Sequence, residues 1–217
     1  AGKRNGTLAA MPSPFAPLVA PALLTWWDQH GRKDLPWQQN PPGNPGRYRV
    51  WVSEIMLQQT QVATVLRYYA AFLAAFPDVI ALADAEPDAV LHRWSGLGYY
   101  ARARHLHRAA RVVRDEHGGE VPTDFEALSR LPGIGRSTAG AILSLADHQR
   151  HPILDGNVKR VLARVFRVEG YPGETAVAKQ LWTLAGQCTP ADRVANYTQA
   201  IMDLGASLCA RRKPACL

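Results

Sequence analysis

The sequence predicts an all-α protein, and three observations carry that expectation. Apolar residues recur at helical spacing in one segment after another, as in Val62, Val65, Leu66, Tyr69, Leu73 and Phe76 before Pro77. No alternating apolar–polar segment bounded by hairpin turns stands out. Connections between the periodic segments are short, which leaves room for about ten helices. The chain has 217 residues, enough for one large domain or two small ones with a real core.

Taken in order, the chain opens on Ala1-Gly2-Lys3-Arg4-Asn5-Gly6 and then Met11-Pro12-Ser13-Pro14. This stretch is small, polar and Pro-rich, without an apolar core of signal-peptide length, so residues 1–17 are expected to form a poorly ordered tail. Met11 is a candidate start, with the preceding residues a leader or an added remnant. The tract Asn40-Pro41-Pro42-Gly43-Asn44-Pro45-Gly46 reads as a loop. Val50 to Leu57 is apolar except for Ser53 and Glu54. A carboxyl group in that setting loses hydration, which raises its pKa and suits Glu54 to a general acid, although most Glu residues are simply solvated. Gln58-Gln59-Thr60-Gln61 follows, and amides of this kind can bond base edges or fill the gap a displaced base leaves.

Further on, Ser95-Gly96-Leu97-Gly98-Tyr99-Tyr100 forms a glycine-flanked loop with two aromatics. The helix predicted over 101–116 carries an apolar stripe of Leu106, Ala109, Ala110 and Val113, with Arg104, Arg108 and Arg111 off it. Between Arg93 and Arg114 there are Arg residues and no acid. Basic surface beside aromatics suits a nucleic-acid backbone, and a solvated helix face with two core tyrosines is the plainer alternative. Leu131-Pro132-Gly133-Ile134-Gly135 then turns into a helix that begins with Arg136 and Ser137. Such a turn suits a phosphate at a helix N-terminus, and a tight helix–helix connection is the alternative. Asp155 opens Asp155-Gly156-Asn157-Val158-Lys159-Arg160 as an N-cap, which is expected to keep its carboxylate ionised. A raised Glu54 and a depressed Asp155 would make a split acid–base pair. Helical runs over Val158–Phe166 and Tyr197–Leu208 complete the chain.

The formal charge of +7, with Arg outnumbering Lys, favours a polyanionic partner. No apolar run reaches the roughly 20 residues a membrane span needs. Three cysteines are too few for a disulfide framework, so reduced thiols in a cytoplasmic setting are expected.

Six blocks, taken together, resemble the helix-hairpin-helix DNA glycosylase superfamily and, within it, the catalytic domain of the adenine DNA glycosylase (MutY) family. They are Gly31–Trp37, Trp51–Val62, Gly96–Arg102, Leu131–Ala141, Ile153–Arg160 and Met202–Gly205. The resemblance implies two helical subdomains flanking an active-site cleft. One is a six-helix barrel with the hairpin over residues 48–154, and the other combines 18–47 with 155–217. By resemblance, Glu54 is the acid that protonates adenine, Asp155 stabilises the oxocarbenium-like sugar, and Asn157 helps place water. Trp37, Gln38, Leu57 and Gln199 fall where the family lines its adenine pocket. Gln58, Gln59, Leu97, Tyr99, Leu131, Gly133, Gly135, Arg136, Ser137 and Lys159 fall in its DNA-binding segments, with Gln59 and Tyr99 entering the duplex. The implied substrate is double-stranded DNA holding adenine opposite 8-oxoguanine or guanine, met by a monomer associated with the bacterial nucleoid.

Relatives that cleave the strand as well carry a Lys in the hairpin as a Schiff-base nucleophile, and the matching position here is Ser137. A monofunctional glycosylase is therefore expected. An endonuclease III-like glycosylase for pyrimidine lesions and a non-catalytic DNA-binding fragment are the alternatives. The family holds a [4Fe–4S] cluster on four cysteines, of which Cys209 and Cys216 match two. The cluster is expected to be incomplete or absent in this chain, with Cys188 a packing residue. The family's 8-oxoguanine-reading domain is also absent from the sequence, so poor discrimination of 8-oxoguanine from guanine is expected.

Overall fold

The computed structural model describes residues 13–215. Among them the ordered elements are helical: α1 (Ala16–His30), a 3-10 turn (Pro36–Gln38), α2 (Asn44–Leu57), α3 (Val62–Ala75), α4 (Val79–Asp84), α5 (Pro87–Trp94), α6 (Ala101–Glu116), α7 (Phe125–Ser129), α8 (Arg136–Asp147), α9 (Gly156–Val165), α10 (Thr175–Cys188) and α11 (Val194–Ala206). No helix among the described residues is long and apolar enough to cross a membrane. The all-α expectation holds. The expected tail ends sooner than residue 17, because Ala16 is already buried in the first turn of α1 and Pro17 is tolerated there. Residues 1–12, with Met11, lie outside the described residues.

The described residues divide into two compact units, 13–31 with 152–215 and 32–151. The unit of 32–151 holds α2 to α8 and the 3-10 turn. Its core gathers Trp51, Met56, Phe72, Leu82, Trp94, Leu106, Leu128, Ile142 and Leu143. Helix α2 packs on α8 and α3, while α6 packs on α4 and α5. Residues 32–47, expected in the other subdomain, belong here for a packing reason. Leu35 and Trp37 are part of this core, and Arg47 pairs with Asp147 at 2.7 Å and donates to the Val121 carbonyl at 2.8 Å.

The 40–46 tract is likewise shorter as a loop than its composition suggests, since Asn44, Pro45 and Gly46 form the first turn of α2. Proline needs no backbone donor there. A Cβ on Gly46 would stand 2.1 Å from the Pro41 carbonyl oxygen, so only glycine lets the tract fold back on the helix. Asn44 secures that turn by donating to the Gly119 carbonyl and accepting from the Val121 amide.

The other unit is built from α1, α9, α10 and α11. Helix α1 packs on α10 and α11, and α11 packs on α9. Leu23, Trp27, Val161, Leu162, Leu181, Tyr197 and Ile201 are buried within it.

Candidate active site

In the unit of 32–151, Glu54 lies one turn from the end of α2. It is half-buried, between Val52 and Ser53 on one side and Ile55 and Met56 on the other, all of them buried. Gln58 caps the end of the helix, and Gln59 then takes a left-handed backbone (φ 58°) with its side chain exposed. Gln58 Nε2 donates to Thr138 Oγ1 at the long limit of 3.5 Å. That contact sets the turn after α2 beside the start of α8.

The start of α8 is the hairpin itself. Gly133 has φ 80°, and a Cβ there would stand 2.7 Å from His105 Cβ on α6, so glycine is required twice over. Gly135 is the N-cap of α8, and a Cβ on it would meet no protein atom within 4 Å. Packing within the protein therefore does not demand its small size. Arg136 is exposed and Ser137 partly so on the first turn of α8.

The third segment is the loop before α6. Tyr99 is 61% exposed with φ 48°, and Tyr100 is also exposed, which settles the two-tyrosine question in favour of surface aromatics. Arg104, Arg108 and Arg111 are exposed along α6, as their phase requires. Leu97 and Leu131, expected among the DNA-contacting residues, are buried in the core, so their loops present backbone rather than these side chains. Trp37 is buried edge-on to Tyr69 at 5.3 Å between centroids, and Leu57 is half-buried. Gln38 spends its amide locally, accepting from the Leu35 N–H at 3.0 Å and donating to the Arg32 carbonyl at 2.8 Å.

In the other unit, Asp155 is the N-cap of α9, and its Oδ1 accepts from the Val158 amide at 2.8 Å. The expected downward pKa shift is corrected here. Burial pushes the Asp155 carboxyl above the usual carboxylate range, and the Val158 and Asn157 amides and the charges of Arg160 and Lys159 offset this only in part. Capping was readable from sequence, but the loss of water around the cap was not.

Asn157 is held from two sides. Arg160 donates to its Oδ1 at 2.7 Å and also to the carbonyls of Gly205 and Cys209. Gly205 on α11 passes so close that a Cβ would stand 2.6 Å from Asn157 Cβ. Buried Gln199 donates from Nε2 to Asp203 Oδ1 at 2.9 Å, and Asp203 Oδ2 accepts from Trp27 Nε1 at 3.2 Å. Lys159 lies partly exposed on α9.

Residues 52–187 match the family HhH-GPD superfamily base excision DNA repair protein. This chain belongs to that family. An adenine DNA glycosylase of Buchnera aphidicola subsp. Acyrthosiphon pisum is 45% identical over 194 residues, covering 89% of this chain and 54% of that protein. The adenine DNA glycosylase of Homo sapiens is 46% identical over 200 residues, covering 90% of this chain and 36% of that protein. The chain thus spans about half, or less, of the length of these curated relatives. A solved structure of a thermostable thymine-DNA glycosylase superimposes with a TM-score of 0.82 at 29% identity, covering 93% of this chain and 90% of that one.

The residues singled out from the sequence fall in both units. Glu54, the Gln58–Thr60 turn, the Tyr99 loop and the hairpin belong to one, and Asp155, Asn157 and Gln199 to the other. Sequence reasoning assigned no role to Arg102, Arg160, Asp203 or Gly205, although each lies in a block that carried the resemblance. For Arg102 a signal existed, because it falls in phase with the apolar stripe of α6 rather than with the exposed arginines.

Among the described residues, no group of three or more His, Cys, Asp or Glu is placed to hold a metal. Cys209 is half-exposed with its Sγ 3.2 Å from Arg164 Nη1, and Cys216 lies outside the described residues. Cys188 is buried, which pushes its thiol up to about 11 and suits the packing role expected of it.

Proposed function

We propose that this chain carries the catalytic machinery of a monofunctional adenine DNA glycosylase acting on double-stranded DNA in base excision repair. The observation that carries the reading is Glu54, a half-buried carboxyl in the apolar stretch of α2, just over one turn before an exposed left-handed glutamine. The adenine DNA glycosylase relatives in bacteria and mammals support adenine as the base removed.

In this reading the Glu54 carboxyl gives its proton to a ring nitrogen of adenine. The C1′–N9 bond then breaks with its electron pair going to the base. The Asp155 carboxylate stabilises the positive sugar, and a water placed by Asn157 adds to C1′ and loses a proton. The burial that raises the Asp155 pKa also makes its charge effective, because a poorly solvated carboxylate gains most when a cation develops nearby. With Ser137 in the hairpin rather than an amine, water is the nucleophile. The hairpin backbone at Gly135 and the basic face of α6 are the phosphate-holding elements, and Gln59 and Tyr99 enter the duplex around the extruded base.

The test is single-turnover incubation with duplexes holding adenine opposite 8-oxoguanine, adenine opposite guanine, thymine opposite guanine, or thymine glycol, followed by alkali. Adenine-specific cleavage is expected. Loss of a general acid in Glu54→Gln should lower its rate at least about a hundredfold while duplex binding persists. Cleavage at thymine opposite guanine instead would favour the specificity of the thymine-DNA glycosylase neighbour. Strand breaks at thymine glycol without alkali would replace the reading with an endonuclease III-like one.

A further inference from the structure

Arg102 is the second residue of α6 and is 8% exposed, although it belongs to a run of otherwise solvent-facing arginines. Its guanidinium reaches back to two separate segments. Nη1 donates to the carbonyls of Ile55 (3.0 Å), Met56 (2.7 Å) and Gln58 (2.5 Å). Nη2 donates to Thr60 Oγ1 (3.0 Å) and to the carbonyls of Leu97 (3.3 Å) and Gly98 (3.1 Å). The same group lies 5.3 Å from the Trp94 ring centroid and 5.5 Å from that of Tyr99.

Three physical consequences follow from one side chain. A positive charge at the last carbonyls of α2 satisfies groups that a helix C-terminus leaves open, and it complements the helix dipole. Those carbonyls belong to the turn that directly follows Glu54. The planar fork also joins the 58–60 turn to the 97–99 loop, a geometry that an ammonium group cannot copy. Each of those segments contains a non-glycine residue held in the left-handed region, Gln59 and Tyr99. Such a backbone persists only where its surroundings over-determine it, and Arg102 supplies the shared restraint.

We propose that Arg102 is a positioning residue that presets Gln59 and Tyr99 as one rigid element before DNA arrives, an inference that rests on the DNA glycosylase reading for its functional half. Ordering the two loops in advance removes a conformational cost that would otherwise fall on base extrusion. Arg102 touches neither base nor sugar in this role.

The test compares wild type with Arg102→Met and Arg102→Lys in hydrogen–deuterium exchange, duplex binding and single-turnover cleavage. In the free protein, both variants should exchange faster over 58–61 and over 97–100 together, with the α8 and α11 cores unchanged. Affinity for an undamaged duplex should stay within about threefold, because phosphate contacts dominate it. The rate constant for adenine excision should fall about a hundredfold at full reaction amplitude, as a small misplacement of reacting groups does. Added methylguanidinium should restore part of that rate in Arg102→Met. A merely structural role would lower the amplitude, the active fraction, and leave the rate constant of the remaining enzyme unchanged, and that result overturns the proposal. Unchanged exchange in the two segments overturns it whatever the DNA assays give. If wild type cleaves no duplex at all, the functional reading of the site fails and the positioning role with it, while joint loosening of the two segments would still establish the clamp.

Discussion

Gly205 and Gly186 offer the same substitution in the same unit with opposite expected outcomes. Both are helical, in α11 and α10, and alanine in place of helical glycine gains about 1 kcal/mol of backbone propensity. At Gly186 a Cβ meets nothing within 4 Å, so Gly186→Ala should keep that gain. At Gly205 a Cβ would stand 2.6 Å from Asn157 Cβ, 3.1 Å from its Cα and 3.2 Å from its carbonyl carbon. Ordinary carbon contacts lie near about 3.5–4.0 Å, so α11 and the first turn of α9 must separate by about 1 Å. Overpacking of that size costs about 3 kcal/mol, the upper end of the usual range, since backbone rather than a flexible side-chain end is in the way.

Subtracting the propensity gain leaves Gly205→Ala destabilised by about 2 kcal/mol, a fall of about 4–8 °C in Tm for a chain of this size. Thermal unfolding followed by circular dichroism measures both variants against wild type. Single-turnover excision at a temperature where Gly205→Ala is fully folded should show a slower rate constant, because Asn157 is displaced. A Tm for Gly205→Ala equal to or above that of wild type would refute the reasoning, as would a fall of the same size in Gly186→Ala.

Two further outcomes follow from the groups around Asp155 and Gln199. Because the folded-state pKa of Asp155 is raised, its protonated form favours the native state. Native stability therefore falls as pH rises through that pKa, and below the unfolded value the penalty is absent. Asp155→Asn keeps an equally good N-cap and removes the penalty. It should be more stable than wild type at neutral pH, with the difference vanishing in acid, and it should be inactive; urea unfolding across pH together with the excision assay checks this. Asp203→Ala strips the acceptor from two buried donors, Trp27 Nε1 and Gln199 Nε2, and should cost about 2–5 kcal/mol in thermal unfolding. Asp203→Asn retains one acceptor oxygen and should recover about half of that loss.

What the sequence disclosed and what it withheld divide along a physical line. Helix α6 was legible to the residue over 101–116, and the hairpin was legible as a glycine turn before a helix start, because both rest on local periodicity and local backbone freedom. The first turn of α2 was not, since Pro45 and Gly46 read as loop residues until the Pro41 carbonyl is seen beneath Gly46. The sign of the Asp155 shift was not legible either. An N-cap is a local bond, whereas desolvation is set by whatever chain closes around it.

Arg102 lies between these cases. Its spacing to Leu106, Ala109 and Val113 places it on the inward stripe of α6, so the sequence marks it as a buried arginine. A buried guanidinium must find several acceptors. Glycine-rich and left-handed turns are where backbone carbonyls lie outside helical ladders and can accept. An arginine in phase with an apolar stripe, just after such a turn, is therefore itself a sign that loops are being fastened, and here the loops fastened are those carrying Gln59 and Tyr99.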